Sequence, residues 1–241
     1  MRVIRAFVDA PLAIGARIAL PEDVAGHLVR VLRLVAGDSC LLFNGDGRDY
    51  AARIVSISKK SAEAEIESMR EVRNESPLRI VLVQGIARGE KMDLVLQKAT
   101  ELGIAGIVPV HGERGEVRLD GERAGKRLRH WRSVVTSACE QSGRACIPDV
   151  AAPRALADAL AGLPKTRLLL DPEATQPLPS SIIDNACALA IGPEGGWSPA
   201  DIATLEAAGF IGARLGPRVL RTETAGLAAI AALQARAGDL A

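Results

Sequence analysis

Two glycine-rich stretches near the C-terminus, residues 189–197 and 215–225, constrain the fold of this chain most strongly. Before the first stretch, the apolar run 188–191 predicts a buried strand, and Ser198-Pro199 after it is typical of a helix start. The sequence therefore predicts a strand, a tight loop and a helix in succession. Because glycine has no side chain and tolerates positive φ, a flat ligand can approach the backbone of such a loop closely.

The second stretch repeats this design and adds two arginines. An apolar segment at 211–215 precedes it, and an alanine-rich helix is expected over 225–237, with Thr222 or Thr224 as its N-cap. Two loops of this kind could close on one ligand. The alternative is that both loops simply end strands in an α/β protein, although their recurrence beside arginines favours a binding site.

Composition narrows the possible partners. Apolar residues make up 48% of the 241 positions, which predicts a globular protein, and only 2% are aromatic. So few rings argue against recognition of single-stranded nucleic acid by rows of aromatic side chains. The formal net charge is +1, so any binding of nucleic acid has to come from local clusters of arginine and lysine.

The four cysteines, Cys40, Cys139, Cys146 and Cys187, lack the spacing of a zinc site. We therefore expect reduced thiols and no bound metal. No apolar run approaches the ~18 residues of a membrane span. The sequence thus predicts a protein with no membrane segment that resides in the cytoplasm.

Residues 1–72 predict a small β-rich domain. Its expected strands are Val3–Val8, Ser39–Phe43, Tyr50–Ile57 and Ala62–Met69, and helical spacing of apolar residues predicts one helix over Pro21–Arg33. The charged segment 70–77 is the best candidate linker to the next domain. Three arginines in the β-rich domain are either a phosphate-contacting patch or solvated surface residues. They are Arg5, Arg30 and Arg33.

Residues 73–241 predict an α/β domain with a parallel sheet, because strands and helices alternate. The strands are expected at Leu78–Gln84, Ile104–Val110 and Thr166–Leu170, and the helices at Lys91–Leu102, Arg127–Gln141 and Ala155–Leu160, in addition to the elements around the glycine loops. The segment after the first strand fits neither a dinucleotide-binding fingerprint nor a P-loop. Arg88, Lys91 and Arg114 follow strands here and would extend a basic surface.

Six motifs, in one order along nearly the whole chain, resemble those of the RsmE-type ribosomal RNA uridine N3-methyltransferases of the SPOUT superfamily. They are His27-Leu-x-x-Val-Leu-Arg33 with Gly37-Asp38, Lys91-Met-Asp-x-x-x-Gln-Lys-Ala-Thr-Glu-Leu-Gly103, Glu113-Arg114, Cys139-Glu-Gln-Ser-Gly-Arg144, Ile191-Gly-Pro-Glu-Gly-Gly196 and Leu215-Gly-x-Arg-x-Leu-Arg-Thr-Glu-Thr-Ala225. Other SPOUT enzymes share the last two in outline, whereas the motifs at Lys91 and Cys139 are more specific.

The resemblance implies an N-terminal PUA-like β-barrel over 1–72 that helps to bind RNA, and a trefoil-knotted SPOUT methyltransferase domain over 73–241. It also implies S-adenosylmethionine as cofactor, 16S rRNA of the small ribosomal subunit as substrate, and a homodimer. The apolar face of the last helix, with Leu227, Ile230 and Leu233, is either the dimer interface or intrachain core. Two rival functions stay open: ribose 2′-O-methylation of RNA, and RNA binding by a ribosome assembly factor without catalysis.

By the same resemblance, the two glycine loops line the cofactor pocket. Its expected residues are Leu170, Gly192, Pro193, Glu194, Gly195, Gly196, Leu215, Gly216, Leu220, Arg221 and Thr222. The N3 of uridine carries a proton that must be removed before methylation. Glu223 is the nearest carboxylate and is the candidate base, although it could equally stabilise the helix start, and Arg221 could stabilise charge on a uracil oxygen. The motif that ends at Arg144 implies a place near the active site or RNA, the alternative being a polar helix end.

Overall fold

The computed structural model describes residues 4–58 and 61–240, so Val3 of the first predicted strand lies outside the described residues. The chain divides into two compact units. The first unit runs up to Glu75 and also includes Cys139–Ile147, and the second comprises Ser76–Ala138 and the chain from Pro148 onward. The sequence boundary at 72/73 lies close to this division, but the inclusion of 139–147 in the first unit was not expected.

The first unit is built on one five-stranded sheet. Its strands are β1 (Arg5–Phe7), β2 (Arg17–Ala19), β3 (Ser39–Phe43), β4 (Arg48–Ile57) and β5 (Ala62–Glu71), in the order β1-β3-β4-β5-β2. The β1–β3 pair is parallel and the other pairs are antiparallel. The four predicted strands are present, and β2 was missed because its three residues are too short to show an alternating pattern.

The turn between β3 and β4 explains why these strands pair. Gly45 and Gly47 both have positive φ, and the side chain of Asn44 accepts a hydrogen bond from the amide of Asp46. These are the conformations that a tight hairpin requires. Apolar residues on the inner face of the sheet, such as Leu42 and Ile54, are completely buried and form the core of the unit.

The predicted helix at Pro21–Arg33 is shorter and irregular in the structure. Helix α1 covers Glu22–Ala25 and continues into a π-helical turn at Gly26–Val31. Arg33 follows with a φ of 60°, in the left-handed region. The apolar spacing indicated a helix correctly, but such spacing cannot reveal a π-helical turn.

The second unit contains a seven-stranded sheet in which every pair is parallel, as the alternation of elements predicted. Its strands are β6 (Arg79–Gly85), β7 (Gly106–His111), β8 (Asp149–Val150), β9 (Arg154–Ala155), β10 (Thr166–Leu170), β11 (Ala186–Ile191) and β12 (Ile211–Ala213). The order is β12-β10-β11-β6-β7-β8, and β9 also pairs with β7. The predicted helix at Ala155–Leu160 is wrong, because the chain makes only a 3-10 turn at Ala157–Ala159 there.

Four helices belong to this part of the chain: α2 (Glu90–Glu101), α3 (Gly121–Ser142), α4 (Pro199–Ala207) and α5 (Thr222–Ala237). Helix α2 buries Met92, Val95 and Leu96, the apolar stripe that its sequence predicted. No helix in the described part of the chain is long and apolar enough to cross a membrane. Because β10, β11 and β12 are neighbouring parallel strands, the loops at their carboxyl ends meet at one edge of the sheet.

Candidate cofactor pocket

A cavity of about 570 Å³ lies at this edge of the second unit, within the size range of small-molecule sites. Residues from both glycine-rich loops line it. The predicted cofactor residues that line it are Leu170, Gly192, Pro193, Glu194, Gly195, Gly196, Leu215, Leu220, Arg221 and Thr222. Gly216 does not line the cavity, but its φ of 71° allows the second loop to turn. The structure therefore brings both loops to one cavity.

The first glycine loop packs tightly against its own protein. A Cβ added to Gly85 at the end of β6 would lie 2.5 Å from the ring of Pro193, and one added to Gly195 would lie 2.9 Å from the carbonyl oxygen of Arg114. Real Cβ atoms do not approach other atoms this closely. Glycine is therefore required at position 195 because the loop at Arg114 lies so close. From the sequence alone, this glycine was explained by the approach of a ligand instead.

Gly196 has a different role in the same loop. Its φ is 70°, and no described atom lies within 4 Å of the position that a Cβ would take. Since Gly196 lines the cavity, the absence of a side chain leaves open space beside the backbone. A flat ligand fits such a cradle.

A chain of hydrogen bonds connects the two loops through the sheet. The buried Gln84 at the end of β6 donates from Nε2 to the hydroxyl of Thr222, at 3.0 Å, and that hydroxyl donates to the carbonyl of Gly192, at 2.6 Å. The predicted capping by Thr222 or Thr224 is wrong, because Arg221 is the N-cap of α5 and no side chain caps it. The hydroxyl of Thr222 instead binds the carbonyl of Gly192 in the first loop.

Glu194 fixes the first loop to the start of α2. Its carboxylate accepts a hydrogen bond from the amide of Arg88 at 3.0 Å and pairs with Nζ of Lys91 at 3.3 Å. Burial by itself raises the pKa of Glu194, but the amide hydrogen bonds and the Lys91 ammonium outweigh it and lower the pKa below its usual value. Glu194 is thus ionised and structural at neutral pH.

The other end of the loop is fixed by a capping box on α4. The hydroxyl of Ser198 accepts a hydrogen bond from the amide of Asp201, and the carboxylate of Asp201 accepts from the amide of Ser198. This confirms the helix start predicted from Ser198-Pro199. The same carboxylate accepts from the amide of Glu113, at 3.0 Å, and so also positions the loop that contacts Gly195.

Glu223 lies in the first turn of α5 and lines the cavity. Its Oε2 atom is buried and has no hydrogen-bond partner among the described residues. A buried carboxylate oxygen without a partner is costly in a folded protein. This geometry distinguishes Glu223 from an ordinary carboxylate at a helix start and leaves it able to accept a proton or a hydrogen bond from a bound molecule.

Three exposed arginines surround the mouth of the cavity: Arg214, Arg218 and Arg221. None of them makes an ion pair with another residue of the described ranges. Sequence reasoning did not place Arg214 and Arg218 among the site residues, although Arg218 lies inside the second glycine-rich stretch. The available signal was that Arg214 directly follows β12 and that Arg218 lies five positions beyond its end, in the loop at the same sheet edge as the glycines.

The structure corrects two of the predicted RNA contacts. The side chain of Arg5 is only 7% exposed, donates to Asp49 and to the carbonyl of Cys139, and its guanidinium lies 4.4 Å from the ring centroid of Phe43. Arg144 is buried and pairs with Glu75. Both side chains hold the first unit together, so neither is available to a phosphate.

The remaining predicted RNA contacts are on the surface. Arg30, Arg33 and Arg114 are exposed and make no ion pair within residues 4–58 and 61–240. Arg88 is exposed but pairs with Glu116 at 2.7 Å, and Lys91 is half-exposed beside the pocket. Contact of these residues with RNA stays a prediction.

The structure decides between the two alternatives given for the apolar face of α5. Ile230 and Leu233 are completely buried within the chain, and only Leu227 is half-buried. These residues are therefore mainly intrachain core, which was the alternative given above. Packing of α5 against α2 and β11 accounts for their burial.

Comparisons with known proteins agree with this arrangement. The RNA methyltransferase domain family matches residues 74–234, and the RNA methyltransferase PUA domain family matches residues 20–67. The ribosomal RNA small subunit methyltransferase E of Buchnera aphidicola (subspecies Schizaphis graminum) is 35% identical, and the alignment covers 99% of this chain and 98% of that protein. The protein of the same name from Mycobacterium bovis is 33% identical over 94% of this chain and 89% of its own length.

Two solved structures match the entire chain. The crystal structure of a ribosomal RNA small subunit methyltransferase E from Neisseria gonorrhoeae bound to S-adenosyl methionine is 42% identical, with a TM-score of 0.94 and full coverage of both chains. A Legionella pneumophila protein in complex with the same cofactor is 38% identical, with a TM-score of 0.95 and full coverage of both. The chain therefore belongs to the ribosomal RNA small subunit methyltransferase E family, with an N-terminal PUA-like unit and a C-terminal methyltransferase domain.

Proposed function

We propose that this protein transfers a methyl group from S-adenosylmethionine to N3 of a uridine in 16S rRNA of the small ribosomal subunit. The observation that carries the proposal is the cavity between the two glycine loops, in which Glu223 presents an unpartnered buried oxygen. Family membership supports the reaction class, and the chemistry of the lining residues supports the choice of N3. The trefoil knot implied by the resemblance stays a prediction.

The lining of the cavity fits the cofactor. Gly196 leaves open space beside its backbone, and the apolar residues Leu170, Leu215 and Leu220 offer contact surface for an adenine ring. When bound, S-adenosylmethionine supplies a methyl group on a positively charged sulfur. Glu194 does not act in this chemistry, because its carboxylate is already engaged with the amide of Arg88 and with Lys91.

The role of the protein is to make the uridine nucleophilic and to position it. The N3 atom of uridine becomes a good nucleophile only after it loses its proton, so a base next to it lowers the barrier. Oε2 of Glu223 accepts that proton in our proposal. The guanidinium of Arg221 stabilises the negative charge that develops on a uracil carbonyl oxygen, and correct alignment of the acceptor contributes further.

Substrate binding in this proposal relies on exposed arginines. Arg214 and Arg218 at the cavity mouth are placed to bind phosphates next to the target uridine, and Arg114 extends the same basic surface of the second unit. This assignment is consistent with a chain whose net charge is only +1, because the cavity lining holds five basic residues against three acidic ones.

We also propose that the protein acts in the cytoplasm as a homodimer. Val219 lines the cavity yet is 79% exposed, which is unusual for a large aliphatic residue in a binding site. A second copy that covers this loop would bury it and complete the pocket. Sedimentation equilibrium tests this: we expect a dimer mass for the wild type and a shift toward monomer for Val219→Asp, whereas a wild-type mass of one chain at all concentrations contradicts it.

The reaction is tested by incubating the pure protein with labelled S-adenosylmethionine and, separately, naked 16S rRNA, small subunits and large subunits that lack the modification. Nucleoside analysis then identifies the product. We expect label in 3-methyluridine from small-subunit RNA only. Label in a ribose-methylated nucleoside contradicts the assignment of N3, and cofactor binding without label in any substrate supports the alternative of a non-catalytic assembly factor.

The role of Glu223 is tested in the same assay. Removal of a general base typically costs ~10²–10⁴-fold in rate. We therefore expect Glu223→Gln to lower kcat by about 100-fold or more while cofactor affinity changes little. Glu206→Gln, an exposed carboxylate on α4 that does not line the cavity, is the control. Unchanged kcat in Glu223→Gln would exclude it as the base.

A further inference from the structure

The first unit carries an exposed apolar surface that the proposed function does not yet use. Val31, Leu32 and Val35 are 66%, 40% and 61% exposed, respectively, although all three are large aliphatic residues. They lie within five positions of the chain, directly after the π-helical turn at Gly26–Val31. We call these three residues the aliphatic platform. Single exposed apolar residues are ordinary, but a contiguous group marks an interaction surface.

The backbone below the platform is held in an uncommon conformation. Leu28 on one side and Leu34 on the other are buried in the core of the unit, and the amide of Leu34 donates to the carbonyl of Leu28 at 3.0 Å. Between them, Arg33 has a φ of 60°. Both a π-helical turn and a left-handed arginine cost free energy and recur at functional sites. The two buried leucines thus anchor a strained segment with its apolar side chains outward.

Hydrogen bonds after the platform keep it in place. The carboxylate of Asp38 accepts a hydrogen bond from the amide of Val35 at 2.8 Å. The backbone carbonyl of Asp38 accepts a hydrogen bond from the amide of Ile54 in β4 at 2.9 Å. Arg53 in β4 donates to the carbonyl of Gly37 at 2.8 Å. The platform is therefore attached to the sheet at its C-terminal end and to the buried Leu28 at its N-terminal end, and a partner that binds it does not have to order a loose loop.

The charges around the platform favour an anionic partner. Arg30 and Arg33 are exposed beside the aliphatic residues and make no ion pair within the described ranges. The nearest acidic side chain in sequence, Asp38, is turned onto the backbone of Val35. Glu22 and Asp23 lie at the opposite end of the helical segment. The guanidinium of Arg30 lies over Gly26 in the preceding turn, and Arg33 lies within the platform segment. Exposed apolar side chains close in sequence to two arginines without ion pairs suit a nucleotide better than an acidic or neutral protein surface.

Aromatic side chains cannot perform this role in the first unit. Phe43 and Tyr50 are buried, and Phe7 is half-buried with its ring against that of Phe43. Proteins that bind unpaired bases usually stack them on exposed rings. Within the described residues of this unit, the aliphatic platform offers three exposed apolar side chains against which the face of a base can instead lie.

We propose that the aliphatic platform binds the face of an unpaired base of the RNA substrate, while Arg30 and Arg33 bind phosphates of the same strand. The inference rests on the proposed function, since it assumes an RNA substrate. It adds that the first unit distinguishes unpaired from paired RNA. A base inside a duplex cannot expose its face, so the platform contributes nothing to the binding of a perfect duplex.

The test compares a hairpin RNA that has an unpaired loop with a blunt duplex of equal phosphate number, using fluorescence anisotropy and the full chain. We expect the double variant Val31→Ser/Leu32→Ser to bind the loop RNA about tenfold more weakly, because it offers less apolar surface to the base, and the duplex as well as the wild type. The salt dependence of loop binding should stay unchanged, because no charge is removed.

Two comparisons make the result specific. The double variant Arg30→Ala/Arg33→Ala should weaken binding of both RNAs and reduce the slope of log K against log salt by about 0.7–0.9 for each phosphate that the variant no longer binds. Ile14→Ser removes another large aliphatic residue of the same unit, 61% exposed and outside the platform, and should bind both RNAs like the wild type. All substituted side chains are exposed, so the variants are expected to fold.

Equal affinity of the platform variant and the wild type for the loop RNA would overturn the inference, as would an equal loss for loop and duplex. If the variant binds naked RNA normally but methylates small subunits poorly, the platform contacts a ribosomal protein instead, and the inference is also wrong. Failure of the proposed function is a separate result: discrimination between loop and duplex can persist in a protein that transfers no methyl group.

Discussion

Gly195 shows how one residue couples the pocket to the loop beside it. A Cβ at this position would lie 2.9 Å from the carbonyl oxygen of Arg114, and the amide of Glu113 in the same loop is bound by Asp201. We therefore expect Gly195→Ala to displace the loop and to weaken S-adenosylmethionine binding by about tenfold, measured by calorimetry, the equivalent of ~1.4 kcal/mol. The weaker binding arises from a displaced backbone rather than from direct overlap with the cofactor.

Gly106→Ala is the matched control for this prediction. Gly106 lies in β7 of the same unit, and a Cβ there would lie 3.6 Å from the carbonyl oxygen of Asp149, which is ordinary van der Waals contact. We expect this variant to bind the cofactor like the wild type. Equal affinities for Gly195→Ala and Gly106→Ala would show that the contact with Arg114 does not shape the pocket.

The lowered pKa of Glu194 predicts how acidic pH changes the contribution of the first glycine loop to stability. Its pKa in the folded protein is lowered from the usual 4.5, so its contribution to stability is present above that pH and is lost as the pH falls through the lower folded value. We expect Glu194→Gln to lower Tm at pH 7 and to have a progressively smaller effect as the pH falls below 4.5. Thermal melts over this range measure the difference.

Glu116, an exposed carboxylate that pairs with the same Arg88 side chain, is the control for the effect of Glu194→Gln on Tm. Glu116 is 65% exposed in its side chain and pairs with Arg88 at 2.7 Å. Exposed ion pairs contribute little, so Glu116→Gln should change Tm much less than Glu194→Gln does at neutral pH. A Tm difference for Glu194→Gln that stays constant across the acid range would contradict the lowered pKa.

At the scale of elements, β6, β11 and α5 are joined by the hydrogen bonds of Gln84, Thr222 and Gly192. Gln84 does not line the cavity, so it acts as a positioning residue. We expect Gln84→Leu to raise the KM for S-adenosylmethionine several-fold with a smaller change in kcat, because the two loops lose their link while the reacting groups stay. Steady-state kinetics with Gln84→Asn, which keeps an amide donor, should show partial rescue.

A substitution at Gln234 is the control that distinguishes the KM change expected for Gln84→Leu from a general loss of stability. It is also completely buried, and it binds Ser76 and the carbonyls of Leu102 and Gly103 in the second unit, away from the cavity residues. Gln234→Leu should lower Tm and leave the KM for the cofactor unchanged. If both variants change Tm alone, Gln84 has only a structural role.

The elements also show what the sequence could predict. Strands β6, β7, β10, β11 and β12 and the start of α4 follow from apolar runs and from Ser198-Pro199, which are local signals. Strands β8 and β9 were missed because each has only two residues. Thr222 was misassigned as a cap because its actual partner, Gly192, is thirty positions away in sequence. The short β2 and the π-helical turn at Gly26–Val31 have no period that a pattern search detects. Local chemistry was predictable, and long-range hydrogen bonding was not.

At the scale of the whole molecule, the largest departure from expectation is the segment Cys139–Ile147, which belongs to the first unit. Arg5 donates to the carbonyl of Cys139, and the amide of Phe7 donates to Glu140. A motif that resemblance placed near the active site or RNA is thus bound to β1. Sequence order alone could not show this, because the hydrogen bonds join residues more than 130 positions apart.

The pocket itself was predictable in most of its residues because it depends on glycines and on the resemblance, both of which are visible in the sequence. The basic surface was less predictable. The side chain of Arg5 is only 7% exposed and Arg144 is buried, whereas Arg214 and Arg218 lie at the cavity mouth. An arginine in a sequence gives no sign of whether it pairs internally, so only the structure separates structural arginines from those that can meet a substrate.

The most direct test of the proposed reaction is the amount of 3-methyluridine in 16S rRNA from cells that lack this gene, complemented with either the wild type or Glu223→Gln and measured by nucleoside mass spectrometry. We predict that the modification is absent in the deletion strain, restored by the wild type and not restored by an equally abundant Glu223→Gln protein. An unchanged level of 3-methyluridine in the deletion strain would contradict the assignment of this reaction to the protein.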